Sequence, residues 1–204
     1  MAKKLRILAA SDLHGDSKQA KKLAIKAEKE NVDLVVLCGD ITGWTETKDI
    51  IKPFKDKKKQ VLIIPGNWDS FATTDFLATM YNIRNIHGYS VRYNEVGIFG
   101  AGGTPPNTPG PGIISESELF ETLKKAYSGI RGIEKKIMVT HSHPAGSLSE
   151  FSGIEGSHAI TKAIKQFKPA IVLHGHIHEG AELEEKIGNT RIINVGREGK
   201  IIEI

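Results

Sequence analysis

Short, continuous apolar runs alternate with longer amphipathic segments in the first third of the chain. The runs at 5–10, 33–38 and 60–64 are rich in Leu, Ile and Val, as in parallel strands that are buried on both faces. Helical patterns lie between them, over 17–30 and 46–58. Strand, helix, strand, helix, strand is the order of a βαβαβ unit. The sequence therefore predicts a parallel sheet with right-handed crossovers.

The rest of the chain continues with helices and shorter strands. Helices are predicted over about 70–81, 115–127 and 157–168, and strands over 89–93, 96–99, 136–140 and 170–173, with three more in 181–204. Ser17 is the expected N-cap of the first helix, and Ser115 with Glu118 forms a capping box. Residues 101–112 are rich in Gly and Pro and fit neither a helix nor a central strand. We expect a long functional loop there.

Length and composition favour one globular domain over residues 1–204. A chain of 204 residues with 39% hydrophobic and 25% charged residues can bury one sizeable core. Its apolar runs fall short of the about 18 residues of a membrane span, and the N-terminus does not resemble a signal peptide. The single cysteine, Cys38, excludes an internal disulfide and fits a reducing compartment. We expect a cytoplasmic protein without membrane contact.

The basic residues are placed away from the segments that follow the strands. The chain has 28 Lys and Arg against 24 Asp and Glu, a net charge of +4, and most of the basic residues fall in predicted helices, as on a solvated surface. Six loop segments contain neither Lys nor Arg: 11–16, 38–45, 65–70, 101–112, 140–147 and 174–180. Nucleic-acid binding needs basic contacts to phosphates. A nucleic-acid partner, and with it a nuclease activity, is therefore disfavoured.

Those same loops carry the residues with metal-ligand chemistry. Five predicted strand ends are followed by seven such side chains: Asp12 with His14, Asp40, Asn67, His141, and His176 with His178. In α/β folds, sites form outside the carboxyl ends of the strands. Carboxylate, amide and imidazole groups together suit a divalent metal ion. Seven ligands are too many for one ion, and Asp40, which is alone on its strand, suits a bridge between two ions that repel each other.

These residues resemble the motifs of the calcineurin-like metallophosphoesterases. The five blocks stand in order as Asp12-x-His14, Gly39-Asp40, Gly66-Asn67-x-Asp69, Thr140-His141 and Gly175-His176-x-His178. The resemblance implies a four-layer α/β/β/α sandwich, with two mixed β-sheets flanked by helices. It also implies two divalent ions. One would be bound by Asp12, His14, Asp40 and His178, and the other by Asp40, Asn67, His141 and His176. Mn, Fe, Zn, Ni and Co all suit such ligands, with Mn favoured.

One position departs from the family pattern. Many members have a His directly after the Asn, and it protonates the leaving oxygen, whereas Trp68 stands here and indole is not a proton donor in that sense. His143 is the candidate substitute, its alternative role being to line the pocket. Asp69 either orients a ligand or caps the helix that begins at Ser70. We therefore predict Asn67, Asp69 and His143 as the residues of the chemical step. His174 is expected to support a ligand or to lie in the core rather than to bind metal, and Arg197 is expected to lie near the mouth of the site.

The resulting hypothesis is a binuclear phosphoesterase. A metal-bridging hydroxide would attack a small phosphate ester, and a phosphodiester is favoured because the usual acid is missing. Two alternatives stay open, a phosphomonoesterase and a non-catalytic metal-binding scaffold on the same fold. The sequence does not fix the oligomeric state, and a homo-oligomer is among the options.

Overall fold

Two β-sheets stand at the centre of the protein. A computed structural model describes residues 4–43 and 48–204. The first sheet has the strands β1 (Arg6–Ala10), β2 (Leu34–Leu37), β3 (Gln60–Ile63), β4 (Arg84–Asn85) and β11 (Lys200–Glu203). The second has β5 (Ser90–Tyr93), β6 (Val96–Ala101), β7 (Lys135–Thr140), β8 (Ile171–His174), β9 (Glu184–Ile187) and β10 (Thr190–Asn194). Both sheets are mixed.

The strand order places the predicted βαβαβ unit in the first sheet. Its order is β11-β1-β2-β3-β4, with β1 to β4 parallel and β11 antiparallel to β1. The second sheet has the order β5-β6-β7-β8-β10-β9. Its four inner strands are parallel, and β5 and β9 are antiparallel at its two edges. The carboxyl ends of β1, β2 and β3 therefore lie side by side, as do those of β7 and β8.

In the described part of the chain, five helices cover the outer faces of the two sheets. They are α1 (Ser17–Lys29), α2 (Lys52–Asp56), α3 (Phe71–Tyr81), α4 (Glu116–Ser128) and α5 (His158–Phe167). The first three pack on the first sheet and the last two on the second. Two short 3₁₀ helices, Leu148–Ser152 and His178–Gly180, lie in loops. The predicted four-layer α/β/β/α arrangement is confirmed.

Each continuous apolar strand contributes side chains to two cores, because successive side chains point to opposite faces of a sheet. In β1, Ile7 and Ala9 belong to the core between the sheets, whereas Leu8 and Ala10 belong to the core under the helices. The core between the sheets joins residues of both, for example Val36 of β2 and Val139 of β7. A strand buried on both faces must be apolar throughout, which explains the runs in the sequence.

Two predicted helix starts are wrong, and local interactions explain where each helix begins. The N-cap of α1 is Asp16 and not Ser17, because the Asp16 carboxylate accepts from the backbone N–H groups of Lys18 and Gln19. The helix predicted over 46–58 is only Lys52–Asp56 in the structure, and residues 46 and 47 lie outside the described residues. Pro53 stands at its start, where a proline is tolerated but disfavours helix before it.

Two further boundaries differ from the sequence prediction. The strand predicted over 96–99 continues to Ala101, because Gly100 and Ala101 pair with Val139 and Thr140 of β7. The Gly- and Pro-rich loop thus begins at Gly102. Of the predicted capping box, the structure shows the bond from the Glu118 N–H to the Ser115 hydroxyl. Among the described residues, none of the helices combines the length and the hydrophobicity of a membrane span.

Candidate metal centre

Six of the predicted ligands form two compact groups at the carboxyl ends of β1, β2, β7 and β8. One group is Asp12, His14 and His178, and the other is Asp40, His141 and His176. Within each group, the potential ligand atoms lie within 4.8 Å of one another. The groups adjoin, since Asp40 Oδ2 is 3.7 Å from His14 Nε2 and 3.4 Å from His141 Nε2. The Asp40 carboxylate therefore lies between them.

Asn67 lies beside the second group, after β3. Its Oδ1 is 3.1 Å from His141 Nε2, and its Nδ2 donates to the Pro109 carbonyl oxygen at 2.9 Å. The backbone oxygen of Asn67 accepts from Gly112 N at 2.9 Å. The Gly- and Pro-rich loop thus holds the amide with its oxygen toward the cluster, and all seven predicted ligands meet in one place.

The backbone of this centre is unusual. Four of the seven residues have positive φ, with 59° at Asp12, 45° at His14, 50° at Asp40 and 71° at His176. Such conformations cost about 1–3 kcal/mol each and persist where the surroundings enforce them, commonly at functional sites. The tight turns also require glycine. A Cβ at Gly66 would lie 2.0 Å from Asp40 Oδ1.

Without a metal ion, burial and neighbouring charges shift the pKa values of the residues in the centre. Burial opposes charge on Asp12, but the hydrogen bond with His178 and the charge of His141 lower its pKa to about 2. Burial likewise opposes a charge on His141, but Asp40 outweighs it and raises the pKa of His141 to about 9. Burial, together with His141, lowers the pKa of His176 to about 3. The centre thus holds negatively charged carboxylates, and a bound cation would compensate this charge.

The donor set fits divalent metal ions. His176 Nε2 is buried and has no hydrogen-bond partner among the described residues, which is costly for a polar atom. A metal ion would satisfy this nitrogen. Carboxylate and amide oxygens combined with imidazole nitrogens suit Mn, Fe, Co, Ni and Zn. The protein has two candidate ligand groups for such ions.

Asp69 holds the loops that carry two of these residues. Its buried carboxylate accepts from the N–H groups of Ile41, Thr42 and Gly66 at 3.0, 2.8 and 2.9 Å, and from the Thr42 hydroxyl at 2.7 Å. It does not cap α3, because Ser70 is the N-cap there. With four accepted hydrogen bonds, Asp69 is a positioning residue that joins the Asp40 turn to the Asn67 turn.

His143 lies near the centre but is enclosed. It is fully buried, its Nε2 lies 3.2 Å from the Ile154 carbonyl oxygen, and Nδ1 has no described partner. The N–H is therefore on Nε2 and is directed at a carbonyl. Burial lowers the pKa of His143, so the ring is neutral near pH 7. Both features disfavour proton donation. His174 is buried at the end of β8, as expected of a core residue.

Asn194 was missed at the sequence level. It is buried at the end of β10, where its Nδ2 donates to the Ile177 carbonyl oxygen at 2.8 Å and its Oδ1 accepts from Gly196 N at 3.1 Å. Ile177 is the residue between His176 and His178, so Asn194 fixes the turn that carries both. The only signal in the sequence is its position at the end of a strand candidate, and in the structure it pairs in register with His174.

Arg197 lies where the sequence suggested, near the rim of the first group. Its guanidinium forms an ion pair with Asp16, two residues after His14. The side chains of His14 and His178 are 33% and 58% exposed, whereas His141 is fully buried. The centre is thus open to solvent on the side of the first group.

Comparisons with known proteins agree with this geometry. The calcineurin-like phosphoesterase superfamily domain matches residues 5–201. The uncharacterized protein MJ1162 of Methanocaldococcus jannaschii is 30% identical over 204 residues, covering 95% of this chain and 89% of that protein. The structure of TT1561 of Thermus thermophilus has a TM-score of 0.78 at 19% identity, over 96% of this chain and 91% of that chain. That of a novel archaeal phosphodiesterase has a TM-score of 0.55 at 18% identity, over 98% of each chain.

The two solved structures show a shared fold, and the domain match extends over nearly the whole chain. The five blocks that suggested the family in the sequence all lie within the matched residues. This chain belongs to the calcineurin-like phosphoesterase superfamily.

Proposed function

We propose that the protein is a metal-dependent phosphoesterase with two divalent ions, and that its substrate is a small phosphodiester. The observation that carries the proposal is the convergence of seven oxygen- and nitrogen-bearing ligands at one edge of the two sheets. In a family of phosphoesterases, such a donor set supports metal-assisted hydrolysis.

The proposed ligands divide as the two groups do. Asp12, His14 and His178 would bind one ion, and Asn67, His141 and His176 the other, with Asp40 shared by both. The position of Asp40 between His14 and His141 supports the sharing. Bound ions would supply a hydroxide nucleophile at neutral pH and positive charge for the phosphoryl oxygens. The residues of the chain position these ligands. Asp69 joins the turns that carry Asp40 and Asn67, and Asn194 fixes the turn that carries His176 and His178.

The preference for a diester rests on Trp68. Transfer from a monoester passes through a loose transition state, and a leaving oxygen that departs without a proton must then carry charge. Trp68 does not supply a proton, and the enclosed N–H of His143 is poorly placed to do so. Substrates whose leaving group is already stable as an anion fit this arrangement best.

Manganese stays the favoured metal, and the cytoplasm the expected compartment.

A second candidate is a non-catalytic scaffold on the same fold. A scaffold does not need buried carboxylates at strained backbone positions, since these are costly without a metal ion. Retention of all seven ligands supports the enzyme.

The test is hydrolysis by metal-loaded protein of a panel of aryl and alkyl diesters and monoesters. We expect hydrolysis of diesters, with aryl esters faster than alkyl esters, and loss of activity with a chelator. His143→Ala should lower both ester types alike if the residue only positions its neighbours, and alkyl esters far more if it donates a proton. Faster turnover of monoesters would favour the phosphomonoesterase, and two bound ions without any hydrolysis would favour the scaffold.

A further inference from the structure

His87 lies outside the candidate metal centre but contacts the start of the Gly- and Pro-rich loop. Its ring nitrogen Nδ1 accepts from the backbone N–H of Gly102 at 3.1 Å. We propose that neutral His87 is a positioning residue, which holds the base of this loop and through the loop the side chain of Asn67. The inference rests on the proposed function, because it assigns a residue that supports one of the proposed metal ligands.

The base of the loop is packed against the segment that leads to Asn67. The N–H of Gly103 donates to the Pro65 carbonyl oxygen at 2.8 Å, and a Cβ at Gly102 would lie 2.1 Å from the same oxygen. Pro65 stands two residues before Asn67. Further along the loop, the Pro109 carbonyl oxygen accepts from Asn67 Nδ2 at 2.9 Å. A displacement of Gly102 would therefore reach Asn67 from both ends of the loop.

The ring of His87 is itself held in place. The backbone N–H of His87 donates to Asn85 Oδ1 at 3.0 Å, and His87 pairs with Gly100 in a single parallel bridge. The ring stands edge-on to that of Phe71, the first residue of α3, with 4.8 Å between the centroids and 60° between the planes. Nδ1 therefore stays directed at Gly102.

The hydrogen bond from Gly102 requires a neutral imidazole, with its proton on Nε2. Protonation would place a second N–H opposite that of Gly102, and the two donors would repel. Burial lowers the pKa of His87, the charge of Asp75 on α3 opposes this, and the charge of Lys125 on α4 adds to it. His87 is therefore neutral at pH 7, and the bond is lost only as the pH falls below the ordinary histidine value of about 6.5.

Nuclear magnetic resonance of isotope-labelled, metal-free protein tests this without turnover. We expect the ring protons of His87 to titrate with a midpoint below pH 6.5, and the amide signals of Gly102 and Asn67 to contain a component with the same midpoint. Other histidines near Asn67 also titrate, so the wild type is compared with His87→Asn. Asparagine Oδ1 takes the place of Nδ1 and accepts at every pH. In this variant the component with the His87 midpoint should be absent.

Metal titration gives a second readout. His87→Phe keeps a ring against Phe71 but removes the acceptor, and it should lower the affinity for the ion that Asn67 would bind by about 3–10-fold at pH 7.5, as expected for one hydrogen bond. His87→Asn should restore most of this affinity, and at pH 5 it should bind the ion more tightly than the wild type. His158, which is exposed and paired with Glu155, is the matched control, and His158→Asn should follow the wild type at both pH values.

Failure of this inference and failure of the proposed function give different results. A His87 midpoint at or above pH 6.5, or Asn67 signals that titrate identically in the wild type and in His87→Asn, would overturn the positioning role even if esters are hydrolysed. Coupled titration of His87, Gly102 and Asn67 without hydrolysis of any ester would support the positioning role and overturn the proposed activity. The comparison of the wild type with His87→Asn decides the matter even if His87→Phe does not fold.

Discussion

At the scale of single residues, the position after a strand makes most of the centre predictable. Asp12, Asp40 and His141 each follow a recognisable apolar run, so their convergence follows from the rule that parallel strands end at one edge. Asn194 is likewise at the end of a strand, but its side-chain amide donates to the Ile177 carbonyl oxygen. Every residue has such a carbonyl, so no pattern in the sequence marks this contact.

Asp40 is the residue whose change should affect both proposed ions. Asp40→Asn keeps the shape of the side chain but removes the negative charge that lies between the two groups. We expect weaker binding of both ions and a loss of activity beyond the roughly 10–100-fold typical of a residue outside the ligand shell. Metal titration with a parallel activity assay measures both effects.

Two ligand changes serve as controls for Asp40→Asn. His178→Ala and His141→Ala each remove a member of one group only, and each should weaken mainly one ion. Turnover close to wild type in Asp40→Asn, with both ions bound, would show that the carboxylate is not shared.

Asn194→Asp should lower the metal affinity of the centre, although Asn194 is not one of the proposed metal ligands. The change replaces the donor to the Ile177 carbonyl oxygen by a carboxylate oxygen, so an attraction becomes a repulsion. We expect metal affinity to fall by about 10–100-fold, as measured by titration of the metal-free protein. The matched change Asn189→Asp, at an exposed position of the hairpin between β9 and β10, should have no effect. An unchanged metal affinity in Asn194→Asp would refute the positioning role.

At the scale of elements, the sequence predicts which segments are helix or strand better than where each begins. The helix expected over 46–58 shrinks to Lys52–Asp56 because Pro53 limits its start. The Gly- and Pro-rich loop was predicted as irregular and functional, but its contact with Asn67 was not, since the Pro109 carbonyl is a backbone group. Backbone contacts of loops are the part that sequence patterns do not encode.

Gly110 tests the role of this loop. Its φ is 135°, and a Cβ there would lie 2.0 Å from the backbone oxygen of Asn67. Gly110→Ala should displace the Asn67 turn and weaken one of the two proposed ions, as seen by metal titration. Gly146→Ala is the control, because Gly146 also has positive φ, 79°, but nothing within 4 Å of the added methyl. Equal metal binding in both variants would contradict the proposed role of the loop.

Glu150 predicts a pH dependence in the loop that follows β7. Its carboxylate accepts from the backbone N–H groups of Gly146 and Gly156, both at 3.0 Å, and these bonds lower the pKa of Glu150. A folded-state pKa below the unfolded value contributes stability above the unfolded pKa, and this is lost as the pH falls through the folded pKa. Glu150→Gln should therefore lower Tm more at pH 7 than at about pH 3, in metal-free protein.

A matched change separates this effect from a general loss of negative charge. The exposed Glu95 lies in the turn between β5 and β6, and Glu95→Gln should leave Tm nearly unchanged at both pH values. A loss of Tm in Glu150→Gln that is the same at pH 7 and at about pH 3 would show that the two backbone bonds are not the cause.

At the scale of the whole molecule, periodicity predicted the strands of both sheets but the sheet arrangement of the first βαβαβ unit only. The βαβαβ unit is visible because its strands are buried on both faces and therefore apolar throughout. In the second sheet, the edge strands β5 and β9 each pair with the next strand in the chain, whereas the inner strands β6, β7 and β8 pair across long connections. The four-layer arrangement was expected from the resemblance to a family, and the packing of the two sheets across a shared core confirms it.

The central claim is that this fold gathers ligands for two metal ions that together make a phosphoesterase. The most direct measurement is a titration of metal-free protein with Mn²⁺ while hydrolysis of bis(4-nitrophenyl) phosphate is followed. The account predicts no hydrolysis without metal and a maximal rate at two ions per chain. Saturation of binding at one ion, or a rate that does not depend on metal, would contradict it.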